Sequence, residues 1–137
     1  LFKHLAFSCH DTPGNMIKLL DTGEFVGITL QYNLLDRTNE KVMEHAQKKG
    51  LGVVVMGPVG GGRLAAPSDV LTSLIPGSVK STPEIALRFV LANPNVTCAI
   101  SGMNERKQLV ENLAVARMRK PLGAAEKRRV RAALNLM

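Results

Sequence analysis

Tryptophan is absent from this sequence, tyrosine occurs once and phenylalanine four times, so aromatic residues make up only 4%. A surface that stacks nucleic-acid bases has almost nothing to build on, and the core must be filled by Leu, Val, Ile, Ala and Met. Cysteine is nearly as scarce. Cys9 and Cys98 both sit at the ends of apolar runs and read as buried free thiols, which fits a cytoplasmic location. No apolar run reaches the roughly 18 residues that cross a bilayer. The opening LFKHLAFSCHD is too short and too interrupted for a secretory signal. Acidic residues are outnumbered, 11 against 18 basic, for a net charge of +7. The excess gathers late, at Arg117, Arg119, Lys120, Lys127, Arg128, Arg129 and Arg131. With no aromatic interleaving and no nucleic-acid motif, that stretch reads as the solvated face of a basic helix, and nucleic acid is a disfavoured partner.

What is present is a regular alternation of short apolar runs and helical patterns over 137 residues, enough for one domain with a core. His4 to Ser8 reads as a strand. Thr12-Pro13 opens a helix with Met16, Leu19 and Leu20 inward, stopped at Gly23. Val26 to Tyr32 is a second strand. Asn39 then caps a helix with Val42, Met43 and Ala46 inward, ending in QKKG. Leu51 to Met56 is a third strand, whose continuous valines suggest burial on both faces. A glycine-rich loop and a short helix near Ser68 to Ser73 follow. Thr82-Pro83-Glu84 opens a helix running to about Ala92, with Ile85, Phe89 and Val90 on one face, and Asn93-Pro94-Asn95 breaks it. Thr97 to Ser101 is a fourth strand. Asn104 caps a helix with Leu109, Val110, Leu113 and Ala114 inward, and a basic helix starts near Leu122. The order predicts an α/β fold, four parallel βα units over residues 1–121 and a C-terminal helix over 122–137.

Parallel βα units carry chemistry at the C-terminal ends of their strands. That rule puts Ser8-Cys9-His10, Gln31-Tyr32-Asn33, Gly57 to Arg63 and Ser101 to Asn104 on one rim. Gly57-Pro58-Val59-Gly60-Gly61-Gly62-Arg63 suits a pyrophosphate: glycines allow close backbone approach, and Arg63 adds a forked cation. The alternative is a loop that merely joins elements. Arg63-Leu64 stands where an NTPase phosphate loop needs Lys and Ser or Thr, and the doubly wound dinucleotide spacing is missing, so both of those readings fail. Ser101-Gly102-Met103-Asn104 leads into a helix N-terminus, a natural place for an anion. His10 between Cys9 and Asp11 does not make a metal site or a triad, because neighbours on a strand end point apart.

Three segments together resemble the aldo/keto reductase family. FSCHDTPGNMIKLLDTGEFVGITLQYNLLDR is similar to its fifth and sixth strand units, GLGVVVMGPVGGGRL to its seventh strand and loop, and TPEIALRFVLANPNVTCAISGMNERKQLVENL to the rest through the cofactor helix. Within the family the likeness is greatest to bacterial and archaeal members with a ferredoxin-like iron–sulfur segment, although no cysteine cluster of that kind occurs here. The resemblance implies half of a (β/α)8 barrel, since a whole one takes about 250 residues. The start at Leu1 rather than Met fits a partial chain.

The resemblance also implies NADP(H) or NAD(H) as cofactor and carbonyl reduction as the parent activity. Ser8 and Gln31 match positions that hold the nicotinamide carboxamide. Met56 stands where many members stack a Tyr on the ring. Gly57, Gly60 and Arg63 fall at the pyrophosphate, Ser101, Gly102, Met103 and Arg106 at the start of the cofactor helix, and Glu111-Asn112 at the adenine end. The usual basic position before that pair is Gln108, with Arg106 and Lys107 nearby, so NADPH is slightly favoured. The family's catalytic Asp, Tyr, Lys and His belong to the first four units and have no counterpart here. The expectation is a cofactor-cradling piece inactive alone. The rival is an assembly module that pairs its open sheet edges with a second copy or with an N-terminal half-barrel.

Overall fold

The apolar runs are longer than the strands they form. The computed structural model describes residues 2–75, 79–118 and 122–134. Its elements are β1 (Ala6–Ser8), α1 (Pro13–Asp21), β2 (Gly27–Gln31), α2 (Glu40–Lys48), β3 (Gly52–Met56), α3 (Asp69–Ser73), α4 (Thr82–Leu91), β4 (Cys98–Ala99), α5 (Arg106–Arg117) and α6 (Ala124–Leu134). The four strands form one parallel sheet in chain order, as the alternation predicts. The expected boundary after residue 121 lies outside the described residues, as do residues 135–137. No helix among the described residues is long and apolar enough to cross a membrane.

Strand side chains alternate between two faces, and the faces have different fates. Phe7, Ile28 and Val53 form one layer toward the helices, and Leu30, Val55 and Ala99 the next. These pack with Met16, Leu20, Val42, Met43, Ala46, Ile85, Phe89 and Val90 into the core. On the opposite face Ser8, Thr29, Val54 and Cys98 share one layer, and Gln31 and Met56 share the next. No helix among the described residues covers that face. The expected burial of the third strand on both sides is therefore corrected: Val53 and Val55 are buried, while Val54 and Met56 are half-exposed. Cys98 is exposed, not buried, because it points to the uncovered face of an edge strand, and Cys9 is half-buried.

Between β2 and β3 the backbones approach unusually closely. A Cβ on Gly27 would lie 2.8 Å from the Gly52 carbonyl oxygen, which belongs to the rigid partner strand.

Helix ends follow the expected chemistry with shifted addresses. Thr12 caps α1 by accepting from the Asn15 amide, and Gly23 and Gly50 take positive φ after α1 and α2. Asn39 occupies the N-cap of α2 but does not cap it; its Nδ2 donates instead to the Gln31 carbonyl at 3.0 Å. Ser81, not Thr82, caps α4, and the Thr82 hydroxyl accepts from the Ser68 amide. α5 is capped at Glu105 rather than Asn104, with the Gln108 side chain accepting from the amides of both residues. The inward face expected for α5 is also corrected. Val115 is its buried residue, while Leu109, Val110, Leu113 and Ala114 are exposed, Val110 by 58%, because the main packing of α5 among the described residues is against α4.

α6 closes the helix side. Val130 enters the core, Lys127 Nζ donates to the Ala92 carbonyl at 2.7 Å, and Arg131 reaches Glu40 at 2.6 Å. The Arg131 guanidinium lies over the Phe89 ring, which stacks on Tyr32 at a 5.6 Å centroid separation. The Tyr32 hydroxyl donates to Glu40 at 3.0 Å. Burial pushes this phenol up to about 12, with the Glu40 carboxylate adding to the shift against an opposing hydrogen bond from Asn93.

Two outcomes follow from this packing. Gly27→Ala should lower stability by about 1–3 kcal/mol, because two strands must part, whereas Gly14→Ala, with open space at its Cβ, should raise it by roughly 0.5–1 kcal/mol; urea unfolding of both variants checks the pair. Tyr32 is the single tyrosine and there is no tryptophan, so alkaline difference absorbance reads it directly. It should titrate near pH 12, not 10. A raised acid pKa favours the fold while the group is protonated, so its contribution is complete below pH 10 and vanishes as pH passes 12.

Candidate functional site

The uncovered face and the loops above it bring most of the expected residues to one rim. Gln31 and Met56 end their strands side by side, in register and both half-buried. Ser8 ends β1 but pairs with Thr29, one layer below Gln31. Thr29, Val54 and Cys98 share Ser8's layer; strict alternation along each strand is the signal that would have named them. His10 is exposed, and its neighbour Asp11 is turned to the start of α1. The Thr12 amide, with the Asn15 side chain, holds the Asp11 carboxyl below the ordinary carboxylate range. Among the described residues no three His, Cys, Asp or Glu side chains gather as metal ligands would.

The glycine-rich loop is folded on itself. Gly57, Gly60, Gly61 and Gly62 all take positive φ, a conformation that glycine enters without strain. The amides of Gly60, Gly62 and Arg63 donate to the carbonyls of Gly57, Val59 and Gly60. These amides serve the loop rather than pointing outward, contrary to the simplest picture of an anion nest. The space above the loop is nonetheless open, since a Cβ on Gly61 or Gly62 would meet nothing within 4 Å. Arg63 is exposed and its Nε donates to the Gly60 carbonyl at 3.1 Å.

The β4–α5 segment adds the third part. Asn112 Nδ2 donates to Ser101 Oγ at 3.3 Å, tying the helix to the end of the strand region. Gly102, Met103 and Arg106 are exposed around this contact. Lys107 and Glu111 form an exposed pair at 3.9 Å, too weak to hold either side chain against a ligand. Both line a cavity of about 370 Å3 whose other walls are residues 65–69 and the start of α4. Gln108 takes no part, because its side chain is spent on the helix cap. A larger cavity of about 420 Å3 lies away from the rim, between α2, α4 and α6.

Comparison with known proteins settles what such a chain is: residues 1–73 match the Aldo/keto reductase family. The chain belongs to that family. It is 34% identical over 91 residues to the uncharacterized oxidoreductase C215.11c of Schizosaccharomyces pombe, an overlap of 66% of this chain and 30% of that protein. Among solved structures it is similar to the aldo-keto reductase AKR11C1 from Bacillus halodurans. The holo form gives a TM-score of 0.75 at 27% identity, over 90% of this chain and 45% of that one. The apo form gives the same TM-score at 26% identity, over 93% and 49%. The chain thus spans about half of these solved reductases and under a third of the yeast protein. Four parallel βα units covering half of a reductase are half of its (β/α)8 barrel, as the sequence resemblance implies.

Proposed function

We propose that this chain is the cofactor-cradling C-terminal part of an NAD(P)H-dependent aldo/keto oxidoreductase acting on carbonyls, and that it is inactive by itself. The observation that carries the reading is the juxtaposition of Gln31 and Met56 at the ends of paired strands, directly before an open glycine loop. The Gln31 amide has both a donor and an acceptor to offer a carboxamide, and Met56 beside it offers a polarizable surface to a flat ring. Ser8, one layer down, is a further hydroxyl on the same face. Gly57, Gly60 and Arg63 suit a pyrophosphate through the charge of Arg63 and the open space above the adjoining Gly61 and Gly62, Gly60 itself being buried against Leu35 and Leu64. Ser101, Gly102 and Met103, with Arg106, Glu111 and Asn112, form the far end, beside the cavity that Lys107 and Glu111 line. Arg106 and Lys107 are exposed cations at the start of α5 that suit a 2′-phosphate, which slightly favours NADPH over NADH. The nicotinamide supplies a hydride donor when bound; this chain's residues position it. The proton donor comes from residues outside this chain.

Titration of NADPH, followed by its own fluorescence, tests this. Weak saturable binding is expected, on the order of millimolar, equivalent to about −4 kcal/mol. Arg63→Ala and Asn112→Ala should each weaken it, and no aldehyde should be reduced. Absence of any NADPH binding, or steady turnover of an aldehyde, would reject the corresponding part of the proposal.

A second reading has its own support. Exposed apolar side chains collect at the two ends of the sheet, Phe2, Leu5 and Val26 beside β1 and Ile100, Leu109 and Leu113 beside β4 and α5. β1 and β4 are both open edges, so joining β4 of one copy to β1 of another, twice, would complete eight strands. Sedimentation at micromolar concentration separates the readings: twice the monomer mass supports assembly, and a stable monomer across the range rules it out.

A further inference from the structure

We propose that Asn33 is a positioning residue that latches the glycine-rich loop to the end of β2, and so sets the spacing between the two ends of the cofactor cradle. The claim rests, for its functional consequence, on the cofactor reading above. Asn33 is 0% exposed, although Ser8, Gln31, Arg63 and Ser101 on the same rim all meet solvent. Three of the four hydrogen-bonding positions of its amide are engaged. Oδ1 accepts from the backbone amides of Leu35 and Asp36, both at 2.9 Å, and Nδ2 donates to the Gly57 carbonyl at 3.0 Å. The Asn33 backbone amide closes the same turn by donating to the Asp36 carbonyl.

The Gly57 carbonyl is the hinge point of this arrangement. It accepts from Asn33 Nδ2 on one side and from the Gly60 amide on the other, at 2.9 Å, which uses both lone pairs. Gly57 is also where the chain leaves β3 at positive φ. Holding its carbonyl therefore fixes the direction in which Gly60 to Arg63 depart. On the other side, Asp36 is the residue whose carboxylate Oδ2 accepts from Gln31 Nε2 at 3.5 Å. One buried amide thus joins the loop over the phosphates to the turn that steadies the carboxamide-binding side chain. Asn and Gln carry an acceptor and a donor on one short planar amide, and Gln has an extra methylene that this closed site would have to admit. A serine in its place could accept from the turn but would not reach Gly57.

Asn33→Asp isolates the latch. A carboxylate keeps the acceptor for Leu35 and Asp36 and loses the donor to Gly57, leaving two oxygens face to face. Hydrogen exchange on the full chain without cofactor is the first measurement. Protection of the Gly60 and Arg63 amides should fall about tenfold, the scale of one buried hydrogen bond, while the β3 amides of Val53 and Val55 are unchanged. Unchanged protection of the loop would overturn the latch. Should the variant lose the β3 protection too, the unsubstituted chain decides: its Asn33 side-chain amide protons should exchange slowly, and rapid exchange would equally overturn it. NADPH titration is the second measurement. If Asn33→Asp loosens the loop and weakens NADPH about tenfold, both readings hold. If it loosens the loop while neither chain binds NADPH, the latch stands and the cofactor reading falls. If NADPH binds both chains equally with the loop unmoved, the reverse is true.

Discussion

The contact of β2 with β3 is the constraint from which the rest of the rim takes its geometry. Gly27 and Gly52 face each other near the beginning of the two strands, at a separation that admits no side chain on Gly27. From there the register runs without a bulge to Gln31 and Met56. A parallel pair fixes the phase of every side chain along it, because a shift by one residue would exchange the two faces. The close approach at one end therefore decides which residues stand together at the other. It also brings the turn after β2 within reach of the turn after β3, where Asn33 meets Gly57.

Much of this was legible in the sequence, and the misses share a cause. Period and punctuation located each strand and α-helix among the described residues, including α3 but not the 3-10 turn at Gly60–Gly62, because alternating apolar runs, Thr-Pro openings and Gly stops act locally. Caps were displaced where a side chain found a better partner far along the chain. Asn39 gives its amide to Gln31, and Thr82 accepts from Ser68, fourteen positions away. The exposed face of α5 was misjudged because an apolar stripe announces a need for cover without saying that this chain provides it. α4 erred the other way. It is enclosed nearly all round, with a buried Glu84–Arg88 pair that a helical wheel would assign to solvent.

The rim was legible in outline through one rule, that parallel βα units place function at the ends of their strands. Its internal wiring was not. That Gly60 and Arg63 amides turn inward, that Gln108 caps a helix, and that Ser101 and Asn112 bond across eleven residues are all products of chain path. The strand-end rule places Asn33 on the rim but gives it no role, and it is among the most deeply placed polar residues in the structure. A polar residue just past a strand looks like any other loop residue until its burial is known.

The division of the sheet into a sealed side and an open side has a consequence for how such a protein tolerates change. Replacing Ile28, Leu30, Val53 or Val55 removes contacts on which cohesion depends. Replacing Thr29, Val54 or Met56 disturbs side chains that are only half-buried. Selection for a new ligand can therefore act on one surface of the same strands while the other keeps the molecule intact, so that novelty and durability are inherited through alternate letters of a single short word.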